Sequence, residues 1–416
     1  MTRTTGTIGI QPATALRAPA RAGGDDAPGA RAVEPVAHST SIDYDVHGLI
    51  GVRLVDPAPV DTRIVERHLR GFAAPLRREP DLVVRFVDRL PVDGLRCVDV
   101  DRSGFTDEGF FVRCRGARAG WVRVPFDRLG APCELVSERG LGHVPYLKPV
   151  LRLAALQRGY VPMHASAFEW NGAGVLVTGW THGGKTSALL AFAEHGARFI
   201  GDDLVFLAGD GGRMFGMSTP LNVSTAQLGQ SERLRRNVGR RQLLALRGLD
   251  SLDRTEEQLS RRWPRGAYPL ALLRRAMRPV RRRVNVHMAP ERAFWNGVRP
   301  TAEPRTLFLM MSHRQAGVSV EPTDPMDVAE RMIHSLRYED LGLLAEYSAF
   351  RFAFPQPRQA NDLIERAHEI AHARLRQAFA GLDAYVVRHP YPPPLRTLFD
   401  VMSPLCEGEP TSRAAT

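Results

Sequence analysis

Between Gly179 and Thr186 the chain reads GWTHGGKT, which fits G-x4-G-K-[ST] without adjustment. No other segment constrains the fold so tightly, because its neighbours complete a structural unit. GVLVTG before it has the β-branched texture of a buried strand. KTSALLAFAEHG after it reads as an apolar helix stopped by Gly196, and ARFIGDDLVFL follows as further strand. Strand, glycine-rich loop, helix, strand predicts an α/β core with its chemistry at the loop.

In such a loop the backbone N–H groups converge on β- and γ-phosphates, and the helix N-terminus adds a favourable dipole. Gly179, Gly183 and Gly184 let the chain wrap closely, Lys185 supplies a point charge, and the Thr186 hydroxyl can ligate Mg²⁺. The expected ATP cradle is therefore Gly179, Trp180, Thr181, His182, Gly183, Gly184, Lys185, Thr186 and Ser187. Composition supports it. Of 56 basic residues only Lys148 and Lys185 are lysines, so a lysine that survives the arginine bias is worth inspecting.

Asp202 follows Lys185 by 17 residues, and Asp203 is beside it. Adjacent carboxylates at a strand end are poor core residues, since burying unpaired charge is costly. Beside a nucleotide site one can hold Mg²⁺ with Thr186 and the other can take the proton of an attacking hydroxyl. Asp202 is the favoured base and Asp203 the favoured metal ligand, with an exchange of roles left open. His164 precedes the loop by 15 residues, where an imidazole can orient a carboxylate or contact the γ-phosphate.

The rest of the chain supplies context. Residues 1–40, rich in Ala, Pro, Gly and Arg, read as a disordered leader without the apolar stretch of a signal peptide. Residues 41–150 carry short strand-like runs and predict a small β-rich domain with no evident chemical task. Residues 151–400 form the loop-bearing domain, and 401–416 a tail. The block 228–283 holds 16 arginines against five acidic residues, which accounts for the whole net charge of +11. Without aromatic platforms or a reading motif it does not point to nucleic acid; helices around Leu243, Leu244 and Leu246 and an acidic partner suit it better. As a lid it would bring Arg281, Arg282 or Arg283 to an acidic acceptor. Four cysteines without a CxxC pair exclude a disulfide scaffold, and no apolar run approaches the ~20 residues of a membrane span. A cytoplasmic protein is expected, and a homo-oligomer is open.

The stretch MHASAFEWNGAGVLVTGWTHGGKTSALLAFAEHGARFIGDD resembles the catalytic core of the HPr kinase/phosphorylase family. That family carries a His before its phosphate loop, then G-x4-G-K-[ST], a helix ending in Gly, and paired Asp, matched here by His164, Gly179 to Thr186, Gly196, Asp202 and Asp203. About 45 residues carry the likeness, with looser similarity out to about residue 390. It implies an α/β P-loop kinase core of the HPr kinase/phosphoenolpyruvate carboxykinase type, using ATP and Mg²⁺ to phosphorylate a hydroxyl. Lys185, Asp202 and His164 would serve catalysis, and Thr186 and Asp203 the metal. Ser187 stands where the HPr enzymes carry an acidic residue, and the arginine-rich block is foreign to them. The resemblance therefore points to an HPr kinase-like protein acting on a peptide or small molecule.

Two other readings compete. One is a nucleotide-sensing module that binds ATP without transfer. The other rests on His368, Glu369 and His372, formally the H-E-x-x-H of zinc peptidases on a helix, although the usual third ligand is missing and amphipathicity alone explains the segment.

Overall fold

The computed structural model describes residues 39–406 apart from 101, 116–117, 245, 247 and 249–285. The first 38 residues of the expected leader, the tail beyond Cys406 and most of the arginine-rich block lie outside the described residues, Arg281, Arg282 and Arg283 among them. The fold is mixed α/β with several sheets. Among the described residues no helix is long and apolar enough to cross a membrane.

The loop-bearing sheet has six strands in the order Arg198–Gly201, Ser166–Trp170, Ala173–Gly179, Pro304–His313, Asp383–Pro390, Ser319–Pro322. Ala173–Gly179 is buried along its whole length and runs parallel to Pro304–His313, which is parallel in turn to Asp383–Pro390. Side-chain alternation serves two cores. Val175 and Val177 pack with Leu189, Phe192 and Leu398 on one face, while Leu176 joins Leu307, Met163 and Ile200 on the other. A strand covered on both faces reads as a continuous apolar run, as GVLVTG does.

ARFIGDDLVFL, expected as further strand, divides into Arg198–Gly201 and Val205–Ala208, which belong to different sheets. The break falls at Asp203, whose φ of 73° no strand residue adopts.

The β-rich region forms an eight-stranded sheet spanning Ser41–Val46 to Cys133–Glu138, with helix Pro59–Leu69 inserted. Its core is continuous with that of the loop-bearing region. Phe110 and Phe126 meet Phe350 of the long helix Pro325–Ala353 at ring distances of 5.8 and 5.6 Å. Asn361 caps helix Asp362–Phe379 through Ile364 N–H and donates to the Phe126 and Leu129 carbonyls.

One boundary differs from the sequence reading. The expected tail starts late, since Leu395–Met402 is an amphipathic helix and Met402 and Cys406 are buried against the loop helix side of the sheet. The described part of the arginine-rich block is helical at 228–230, 232–236 and 240–244, with Leu246 buried and Leu244 exposed.

Candidate active site

Gly179 ends its strand beside Met310, at the carboxyl edge of the parallel strands, where open α/β sheets bind ligands. A Cβ on Gly179 would lie 2.7 Å from the Met310 carbonyl oxygen, so only glycine fits there. Gly184, with φ of 99°, caps helix Lys185–Ala193, and a Cβ there would meet His389 Nε2 at 2.7 Å. The buried His389 ring holds this turn in place, its Nε2 lying 2.9 Å from the Gly183 carbonyl oxygen.

A cavity of about 880 Å³ opens above the loop. Thr181, His182, Gly183, Gly184, Lys185, Thr186 and Ser187 line it, whereas Gly179 lies behind them and the half-exposed Trp180 ring sits 5.0 Å from Tyr338. The buried Lys185 turns back on the loop, its Nζ donating to the Trp180 carbonyl at 2.8 Å and the Gly179 carbonyl at 3.1 Å. Burial pushes its pKa down to about 8, against the pull of Asp202, Glu339 and Asp203.

The two aspartates face different partners. Buried Asp202 accepts from Thr186 Oγ1 at 3.0 Å and Ser166 Oγ at 2.5 Å, while Thr219 Oγ1 donates to its backbone carbonyl at 2.9 Å. Burial raises its pKa, with the two hydroxyls working the other way. Asp203 is ion-paired with Lys148, and its Oδ1 lies 3.7 Å from His164 Nε2. Burial pushes the Asp203 carboxyl up, but the Lys148 ammonium, its hydrogen bond and His164 together hold it below the usual range. His164 Nδ1 in turn lies 2.8 Å from Glu339 Oε1, on the long helix.

Strand pairing explains the assembly. Antiparallel register sets Ala167 opposite Gly201, so Ser166 and His164 run past Asp202 and Asp203. The site residues expected from sequence thus converge on one cavity, Gly179 and Trp180 excepted. Lys148, Ser166, Glu339, His389 and two further residues lining the cavity, Arg67 and His68, were missed. Of these, only Lys148 left a signal, as one of two lysines in the chain.

The H-E-x-x-H segment lies elsewhere. His368 Nε2 is 3.1 Å from Asp340 Oδ2 and His372 Nε2 is 2.9 Å from Glu330 Oε1, so both imidazoles pin their helix to Pro325–Ala353. Among the described residues no group of three His, Cys, Asp or Glu could hold a metal ion.

No family model matches this chain, and no curated protein matches it either.

Proposed function

We propose that this chain is an ATP- and Mg²⁺-dependent kinase of the HPr kinase-like type, transferring the γ-phosphoryl group to a hydroxyl. The observation that carries the reading is the Thr186 hydroxyl seated on Asp202 at 3.0 Å, with Lys185, Asp203 and His164 on the same cavity. Thr186 and Asp202 offer hard oxygen donors of the kind Mg²⁺ takes, beside a loop whose glycines leave room for phosphate oxygens. A magnesium ion held there by Thr186 and Asp202 would supply neutralising charge to the phosphates.

The division of labour differs from the one favoured on sequence grounds. Asp202, hydrogen-bonded to the loop threonine, suits the metal side. Asp203, turned toward Lys148 and His164, suits the acceptor side. A lowered pKa keeps it ionised at neutral pH, and a loose phosphoryl-transfer transition state needs only a modest base. In the step, the acceptor oxygen forms a bond to the γ-phosphorus while the bond to the β,γ-bridging oxygen breaks and ADP departs. The hydroxyl proton passes to the Asp203 carboxylate. Lys185 must leave the Gly179 and Trp180 carbonyls to reach the phosphates, and His164, backed by Glu339, keeps Asp203 oriented. The cytoplasm, which supplies ATP and keeps thiols such as the four free cysteines reduced, is the compartment this reading requires.

The test is transfer of label from γ-labelled ATP to candidate acceptors by the wild-type chain and Lys185→Ala. Transfer by the wild type alone is the expected result. Equal transfer by Lys185→Ala removes the reading, and nucleotide binding without transfer to any acceptor favours the sensor.

A further inference from the structure

Two residues on the cavity wall come from the β-rich region. Arg67 and His68 stand in the last turn of helix Pro59–Leu69, and they line the same cavity as Lys148, His164, Asp203 and Lys185. The other charged groups are engaged: Lys185 on loop carbonyls, Lys148 on Asp203, Asp202 on two hydroxyls, Glu339 beside His164. Arg67 is exposed to the cavity and, among the described residues, has no ion-pair partner. His68 Nδ1 is buried and without a hydrogen-bond partner.

A cation at the C-terminal turn of a helix has a generic explanation, since it offsets the helix dipole. That explanation leaves the His68 nitrogen orphaned, and a buried polar atom without a partner is costly. Burial, reinforced by Lys148, holds the His68 pKa at about 4, so its ring is neutral at physiological pH and keeps one N–H to donate. Lys148 and Asp203 act electrostatically on that ring, and both line the same cavity as the pair. A free guanidinium and a neutral imidazole on one cavity wall suit an anionic oxygen pair, and a guanidinium fork takes a carboxylate in a bidentate manner.

We propose that Arg67 and His68 form a carboxylate subsite, so that the acceptor carries a carboxylate close to the hydroxyl it presents to Asp203. This rests on the kinase reading and gives the N-terminal region a share in substrate selection. The arginine lid expected of residues 281–283 lies outside the described residues and takes no part in this assignment.

The full-length chain saturated with Mg·ADP is titrated calorimetrically with O-phospho-L-serine and with O-phosphoethanolamine. The two share phosphate and amine and differ by the carboxylate. Phosphoserine should bind at least tenfold more tightly. In Arg67→Gln, at an exposed position, and in the double variant with His68→Asn, the ratio should fall to within twofold while ADP affinity holds. Equal affinities in the wild type, no binding of either compound, or a preference that survives both variants overturns the subsite. Failure of the kinase reading looks different: ADP itself does not bind, or binds Lys185→Ala equally well.

Discussion

Lys148 pairs with Asp203 across 55 residues of chain, joining the first turn of helix Leu147–Gln157 to the carboxylate beside the glycine-rich loop. The only two lysines of this arginine-rich chain thereby share one cavity. Lys148 is the chief cation holding Asp203 ionised, so Lys148→Met should raise the Asp203 pKa. A base works only when deprotonated. The acid limb of kcat/KM against pH should therefore move to higher pH in the variant, with kcat lower by on the order of 10–100-fold. An unmoved acid limb would exclude Asp203 as the base.

The two carboxylates should separate kinetically. Asp202→Asn removes a metal-side oxygen and should raise the Mg²⁺ concentration needed for half-maximal nucleotide binding by about tenfold or more. Asp203→Asn should leave that binding within about twofold and cut transfer by roughly 10²–10⁴-fold, the usual contribution of general acid–base catalysis. Fluorescent-ADP titration against Mg²⁺ and single-turnover transfer measure the two effects. The reverse pattern would restore Asp202 as base.

The sequence made the loop, its helix and the aspartate pair legible because those signals are local: glycine spacing, an apolar helical period, carboxylates at a strand end. His164 stood out only by its spacing before the loop and by the resemblance. What sets it beside Asp203 is the pairing of Ala167 with Gly201, a register between strands about thirty residues apart that composition does not encode. Arg67 and His68 were invisible for a related reason. They look like ordinary basic residues at a helix end, and only the shared core of the two regions turns them toward the cavity. ARFIGDDLVFL misled because its apolar pattern runs on across Asp203, where the backbone is left-handed. Lys148 is different: its rarity was visible and its partner was not.

The H-E-x-x-H segment offers a contrast in burial. His368 sits with Asp340 and Arg152, at side-chain exposures of 17, 15 and 12%, whereas His372 and Glu330 are 34 and 49% exposed. Breaking a largely buried charged hydrogen bond costs about 1.5–3 kcal/mol, whereas an exposed ion pair is screened by solvent and contributes little. His368→Ala should therefore lower unfolding free energy by more than His372→Ala, as denaturant titration would record. Neither should alter ADP affinity. Stoichiometric zinc in the purified protein, lost in both variants, would instead revive the peptidase reading.

Lys185 carries the clearest pH signature. Its side chain is buried and its pKa is pushed from the ordinary 10.5 to about 8, with burial as the main cause. Above pH 8 the folded chain has released this proton while the unfolded chain keeps it up to about 10.5. Stability rises with pH wherever the unfolded state binds more protons. Relative to Lys185→Met, the wild type should therefore gain up to about 1.4 kcal/mol per pH unit between pH 8 and 10.5 and run parallel to it below pH 8. Nucleotide affinity has the opposite sign. Phosphates bind the ammonium form, so the wild type's ADP affinity should weaken as pH climbs above 8, by at most about tenfold per unit, while that of Lys185→Met stays weak and flat. Denaturant titrations and ADP titrations at pH 7, 8, 9 and 10 on both proteins test the pair of trends. A stability difference that stays constant from pH 7 to 10 would mean that Lys185 is not held in this buried, charge-disfavouring position before nucleotide arrives.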